Sequence, residues 1–403
     1  MALFTLRQLL GRRFDIVAVS AEMITHDPWE ESAALLVIPG GRDVPYCEHL
    51  SPDGTLKIRR FVESGGRYLG LCAGAYFGAS QIVFENNRPD YRVVGKRDLS
   101  FFPGTAIGSA FSNFVYNSEQ GASAQHVRVL DKIAPVKDTK LYHNGGCYFD
   151  GKDVGPETTV LAEYAQTTFD GVRSAPAILE CKVGHGKALL SGVHIEYNPY
   201  MAKLSSNPSL IHLVSHLKAT NTARLRLFGY LLSRLGLPVI PEEELLSMTS
   251  SEVLTMPPSP SPLFLSSLSL DGTLLSKLSE ASSAISNDTL QLEDVKNILF
   301  ISRDIPSHLA ANYYDTTPDW SSRDDSKLPL DLVLLSQSTQ PRSDDPKFDF
   351  QAYFGYLEQY QSSSIGRDVI VANVTTSTQT ILNRCVCLEH QLFSFSCNEI
   401  LLP

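Results

Sequence analysis

No apolar run in this 403-residue chain approaches the roughly 20 residues that a bilayer-spanning helix needs. The N-terminal stretch MALFTLRQLLGRRF carries basic residues after its apolar segment rather than before it. No small-residue cleavage pattern follows, which argues against a secretory signal. Basic residues are in deficit, with 34 Lys and Arg against 44 Asp and Glu, a net charge of −10. Binding nucleic acid needs a basic face to neutralise phosphates, so that class is disfavoured as well. Cysteine is sparse and scattered. The seven form no CxxC pair and are odd in number, which makes a poor disulfide framework, argues against structural zinc and fits a reducing compartment. The expectation is a soluble, cytoplasmic protein with no metal site, no membrane partner and no nucleic-acid partner.

What the chain does have is length for two domains and 43% hydrophobic residues to build a core. Residues 1 to about 240 alternate apolar runs with amphipathic segments, the pattern of a parallel sheet flanked by helices. AALLVIPGG (33–41) reads as a buried strand ended by Pro-Gly-Gly, and LKIRRFVESGG (56–66) as a surface helix with Ile58, Phe61 and Val62 on one face. RYLGLC (67–72) is the next strand. APAILECKV and KALLSGVHIE flank Gly184-His185-Gly186 as a hairpin, and the stretch from Ser209 reads as largely helical up to the Gly-Leu-Pro stop at Pro238. From 241 to 345 Ser, Pro, Thr and Asp dominate, which predicts a linker without a core of its own. From 346 to 403 a helix and a strand return.

Gly70-Leu71-Cys72-Ala73-Gly74 falls at a strand-to-helix junction and has the form of a nucleophile elbow, in which small neighbours let the turn tighten. The helix after it would aim its first amides at the sulfur and favour thiolate. A thiol nucleophile needs a base and the base an orienting group, and His194 with Glu196, two apart at a strand end, supplies both. Gly40 and Gly41 are placed to give one backbone amide to an oxyanion, with Ala73 as the second donor. Each feature has a plainer reading, since a cysteine between glycines is often only packed. What favours chemistry is that all three occur at strand ends, in this order. His143 lines the site or stays in its turn, Cys147 reads as packing and His185 as solvated.

With those residues in view, the elbow and His194-Ile195-Glu196 resemble the class I glutamine amidotransferase fold, a flavodoxin-like α/β arrangement. More narrowly, VIPGGRDVPYCEHL, GLCAGAYFGA, VVGKRDLSFFPGTAIGSAF, YHNGGCYF and GKALLSGVHIEYNP together resemble the amidotransferase-like N-terminal domain of fungal biotin-protein ligases, over roughly residues 5 to 240. FDFQAYFGYLEQYQSSSIGRDVIVANVTTSTQT is similar to the opening of the ligase catalytic domain, an α+β fold. The resemblance assigns Thr376, Ser377, Thr378 and Gln379 to the biotin and adenylate pocket. It implies ATP, biotin and Mg as the family's cofactors and biotin-dependent carboxylases, through their carboxyl-carrier domains, as its partners.

The chain departs from that family in three places. The Gly-Arg-Gly-Arg-Gly-Gly loop that wraps the adenylate is absent, as is the catalytic lysine segment, so the expectation is a truncated ligase portion, retaining no cofactor and inactive as a ligase. The family's first strand is missing before TLRQLLGRRF, which predicts an exposed sheet edge and marginal stability. Tyr76 stands where amidotransferases carry a glutamine, which argues against glutaminase activity. Three functions stay open: a biotin-protein ligase family member, a free-standing Cys-His-Glu thiol amidohydrolase, and a binding scaffold.

Overall fold

Of the apolar run 33–38 only β1 (Leu36–Ile38) pairs as a strand, because Pro39, Gly40 and Gly41 turn the chain away at once. In this computed structural model the described residues are 1–244 apart from 11, 12, 15, 112, 151–154, 202–207 and 242. Beyond them are 263–267, 283–286, 289–293, 297–302, 328–335, 349–359 and 368–372. The chain divides into two compact units, Met1–Leu254 and Thr255–Pro403.

The first unit begins with α1 (Ala2–Leu10) and α2 (Ala21–His26), and β1 is followed by α3 (Asp43–Leu50) and α4 (Asp53–Glu63). Ile58, Phe61 and Val62 of α4 are buried on one face, and the helix ends where the amides of Gly65 and Gly66 return to the carbonyls of Val62 and Phe61. Next come β2 (Arg67–Leu71), α5 (Ala73–Gly78), β3 (Ala79–Phe84), β4 (Val93–Lys96) and β5 (Phe102–Gly108). The unit continues with β6 (Ser123–Val129), β7 (Asp138–His143), β8 (Cys147–Asp150), β9 (Thr158–Tyr164), β10 (Pro176–Val183), β11 (Gly186–Ser191), α6 (Pro208–Ala219) and α7 (Asn221–Arg234).

Seven strands form one sheet in the order β1-β2-β11-β10-β9-β6-β7, and β4-β3-β5-β8 form a second. The main sheet is mixed, not parallel as the alternating pattern predicts. β1, β2 and β11 run parallel, and every pairing from β11 outward to β7 is antiparallel. The reason is local: the 184–185 turn, with Gly184 at φ +57°, folds β10 straight back on β11 as a hairpin. The parallel end of the sheet is covered on both faces, as such strands require. Leu69, Leu71 and Leu189 meet α1 and α7 through Leu9, Phe228 and Leu232, while the alternate Tyr68, Ala188 and Leu190 meet Ile58, Val62 and Phe77. The helical stretch expected up to the stop at Pro238 is two helices broken at Thr220, whose hydroxyl bonds Lys140 O at 3.1 Å, and α7 closes at Gly236 with φ +80°.

The second unit departs from the linker expected over 241–345. It holds β12 (Leu263–Ser267), β13 (Ser283–Ser286), β14 (Thr289–Glu293), β15 (Asn297–Ser302) and β16 (Leu328–Leu335), followed by α8 (Phe350–Gln359) and β17 (Asp368–Ala372). The six strands pair as β13-β14-β15-β16-β12-β17. Phe264, Leu265, Ile301, Leu332 and Val333 are buried. Short apolar runs such as LFL, ILFI and LVLL are diluted by the Ser and Pro between them, so composition over the whole window conceals them. The helix and strand expected after 346 are α8 and β17, whereas Thr376, Ser377, Thr378 and Gln379 lie outside the described residues.

Candidate active site

Cys72 is the residue between β2 and α5, and its backbone sits at φ +49° and ψ −103°. A non-glycine residue held there costs about 1–3 kcal/mol, which the surroundings must supply. They do so through the Cys72 amide, which donates to Ser191 O at 2.8 Å, and the Cys72 carbonyl, which accepts from Ala75 and Tyr76. The flanking glycines are obligatory. A Cβ on Gly70 would lie 2.4 Å from Gly74 O, and one on Gly74 would lie 1.9 Å from Ile38 O. The thiol, 5% exposed, makes a long contact of 3.9 Å to Asn144 O.

His194 and Glu196 lie beyond β11, which ends at Ser191: His194 makes an isolated antiparallel bridge with Tyr142, and Glu196 stands in the turn that follows. The turn brings them together all the same: His194 Nδ1 is 2.8 Å from Glu196 Oε1. It is pinned from three sides. The His194 amide donates to Tyr142 O, Thr5 of α1 donates to Glu196 O at 2.8 Å, and the guanidinium of Arg224 on α7 donates to Ile195 O at 2.7 Å. Arg224 is 2% exposed, and burial pulls its pKa down to about 9 against the opposing charge of Glu196.

Burial also works against protonating His194. The negative charges of Cys72 and Glu196, with hydrogen bonds to both side chains, outweigh it and hold the imidazole well above its usual range. The ring therefore bridges Cys72 and Glu196. Gly40 is packed against both partners: a Cβ there would meet His194 Cε1 at 2.5 Å and Cys72 Cβ at 3.6 Å. The Tyr46 hydroxyl fixes this turn by donating to Pro39 O at 3.1 Å. Gly41 reaches the cleft, while Ala73 is buried as the first residue of α5.

The cleft over Cys72 and His194 has a volume of about 610 Å³. Its walls add Arg42, Tyr116, Glu119, Tyr142 and Asn144, none of them singled out from sequence. Arg42 follows Gly41 directly, and Tyr142 and Asn144 belong to YHNGGCYF, where attention goes first to histidine and cysteine. Glu119 lies in a loop without periodicity, so nothing marks it until the Tyr142 hydroxyl is seen to donate to its carboxylate. Tyr142 also stacks on Tyr197, with centroids 4.0 Å apart, and meets His194 edge-on at 5.5 Å.

Other residues fall elsewhere. His143 is not a cleft wall: it is 1% exposed, its Nε2 is 3.1 Å from Gly146 O, its Nδ1 has no partner, and burial lowers its pKa to about 4. Cys147 is packed in the core and His185 is exposed in its turn. Tyr76 is buried, its hydroxyl donating to Gly145 O at 3.1 Å rather than into the cleft. Among the described residues no cluster of three or more His, Cys, Asp or Glu could hold a metal, and no helix is long and apolar enough to cross a membrane.

Comparison with known proteins adds a second line of observation. The family described as "Biotin-protein ligase, N terminal" matches residues 1–263. A Schizosaccharomyces pombe protein named "Biotin--protein ligase" is 33% identical over 369 residues, 91% of this chain and 53% of that protein. The chain thus spans about half the length of that relative. An uncharacterized protein of Chlamydia muridarum is 40% identical over 215 residues, 53% of this chain and 79% of its own. Among solved structures, "Cytoplasmic Protein STM1381" of Salmonella typhimurium aligns with a TM-score of 0.35 at 13% identity over 58% of this chain and 86% of its own, too loose to bear on the fold. The match over residues 1–263, more than half of the chain, settles its kinship: the chain belongs to the biotin-protein ligase N-terminal family.

Proposed function

We propose that residues 1 to about 240 form a class I amidotransferase-like, flavodoxin-like domain whose Cys72, His194 and Glu196 carry out nucleophilic acyl transfer on an amide-class substrate. The observation that carries this reading is Cys72, strained to φ +49° on its elbow beneath an imidazole held 2.8 Å from Glu196. In the reaction the sulfur of Cys72 attacks the carbonyl carbon and an S–C bond forms. The carbonyl electron pair moves onto oxygen, toward the backbone amides of Gly41 and Ala73, with Gly40 holding the turn. Collapse breaks the C–N bond, and the leaving nitrogen takes its proton from His194. Water then attacks the thioester with His194 as base, releasing the acid and restoring the thiol. Glu196 keeps the ring in the orientation both steps need.

Iodoacetamide labelling followed by mass spectrometry tests this. Cys72 is expected to react near neutral pH ahead of the free, more buried Cys147 and Cys181, and to slow by an order of magnitude or more in His194→Ala, with a smaller loss in Glu196→Ala. Equal labelling of Cys72 in all three proteins would leave a binding scaffold.

At the level of the family, we place this domain beside ATP-dependent transfer of biotin to a lysine of biotin-dependent carboxylases, with ATP, biotin and Mg as cofactors, as the resemblance implies; the Schizosaccharomyces pombe relative's name, "Biotin--protein ligase", supports this. On this reading 1–240 is the thiol domain, 241–345 a connecting region that includes paired strands, and 346–403 the start of a ligase portion in which Thr376, Ser377, Thr378 and Gln379 contribute to the biotin and adenylate pocket. The free thiols of Cys47, Cys72, Cys147 and Cys181 support a reducing, cytoplasmic setting.

A further inference from the structure

We infer that the cleft above Cys72 is built for an anionic ligand, a small acyl compound with a carboxylate near its reacting carbonyl, and that Arg42 is the residue that reads the carboxylate. The inference rests on the thiol reading for its first readout but not for its second.

Arg42 follows Gly41, to which the proposed mechanism gives an oxyanion-binding amide, and both line the cleft with Cys72 and His194. Its guanidinium lies over the Tyr116 ring, 4.3 Å from the centroid. Tyr116 in turn stacks on Tyr91, with centroids 5.2 Å apart and planes within 10°, and Arg88 closes the far side of Tyr91 at 3.9 Å. This column holds the guanidinium by its face. Its in-plane N–H donors, the edge that matches a carboxylate fork, are left over.

Among the described residues those donors have no acceptor, and the nearby acids explain why. Asp43, the next residue, is paired with Arg97 at 2.6 Å. Glu85, across the aromatic cluster, is paired with Arg88 at 3.1 Å. Glu119, the acid of the cleft itself, accepts from the Tyr142 hydroxyl. Asp43 and Glu85 are thus taken up by other arginines, Glu119 is turned to the Tyr142 hydroxyl, and the guanidinium of Arg42 lines the cleft with its edge unpaired. A ligand carboxylate seated there would make the charge-assisted, two-point contact that guanidinium favours.

The test compares two reagents of nearly equal size that alkylate the same sulfur, each forming an S–C bond and expelling iodide. One, iodoacetate, carries a carboxylate, and the other, iodoacetamide, is neutral. The ratio of their rate constants at Cys72 is expected to favour iodoacetate in the native chain and to fall roughly tenfold in Arg42→Met, the scale of one charge contact at a partly wet site. Arg128→Met removes a cation outside the cleft and is expected to keep the native ratio. A ratio that Arg42→Met leaves unchanged overturns the inference. Should Cys72 react with neither reagent, the thiol reading fails, and the question passes to NMR. Succinate, but not neutral succinamide, is expected to shift the Arg42 Nε–H resonance, and absence of that shift overturns the inference on its own.

Discussion

His143, behind the cleft, is close enough to His194 for their charges to interact, and their surroundings drive them in opposite directions. His194 has two anionic partners that overcome burial, so its folded pKa stands well above the unfolded value near 6.5, and its contribution to stability is lost as pH rises through that raised value. His143 has burial and the charge of His194 against it, which outweigh its backbone hydrogen bonds, and falls to about 4. Between pH 6.5 and 4 the unfolded chain therefore binds a proton that folded His143 refuses. The stability this residue protects is complete above about pH 6.5 and drains away as pH falls toward 4, on the order of 3 kcal/mol. Melting midpoints measured across that range check it. Whatever its stability at pH 7, His143→Gln is expected to show a flatter loss of midpoint between pH 6.5 and 4 than the native chain, and parallel curves would refute the assignment.

At the scale of elements, the elbow depends on how closely β1, β2 and α5 approach. Gly74 places its α-carbon where a methyl would lie 1.9 Å from Ile38 O, backbone that cannot swing aside as a side chain would. Gly74→Ala is thus expected to cost at least the 1–3 kcal/mol typical of overpacking, to lower the melting midpoint by several degrees and to abolish Cys72 labelling. Gly155→Ala, with nothing within 4 Å, is the control expected to stay within about 1 °C, and equal midpoints for both would show that the approach is not tight. The elbow was legible because its requirement is local, glycines on both sides of one cysteine after an apolar run. The 184–185 hairpin and the amphipathic face of α4 were legible for the same reason. Sheet direction was not. β6, β7, β8 and β9 pair antiparallel through contacts that alternation of apolar runs does not distinguish from parallel ones, and β12 to β16 are short runs hidden in Ser- and Pro-rich sequence. The half of the site that escaped notice, Arg42, Tyr116 and Glu119, depends on loops meeting across the fold. The turn of His194 and Glu196 is set by Thr5 and Arg224, which stand 191 and 29 residues from the backbone oxygens they bind.

For the whole molecule the question is which of two chemistries the chain can support. Activating biotin with ATP concentrates negative charge on phosphates, which must be met by backbone amides and fixed cations wrapped around them. These 403 residues have a net charge of −10 and contain no Gly-Arg-Gly-Arg-Gly-Gly loop. Glycine and lysine do occur together in KVGHGKA, but Gly184 and Gly186 are spent on the β10–β11 turn, with Gly186 pressed against the carbonyls of Val62 and Gly66. That segment cannot open to receive a phosphate without undoing the sheet that holds Cys72. The chain is therefore expected to show no ATP- and biotin-dependent labelling of a carboxyl-carrier domain, with Mg supplied, while Cys72 keeps its reactivity in the same preparation. Labelling above background would mean that phosphate is gripped by residues outside the β10–β11 turn. Loss of both activities would point to a misfolded sample, which the melting curve of the native chain would reveal. Cys72 reactivity without labelling would separate the two chemistries within one chain and leave the N-terminal unit with a reactive thiol that works independently of biotin activation.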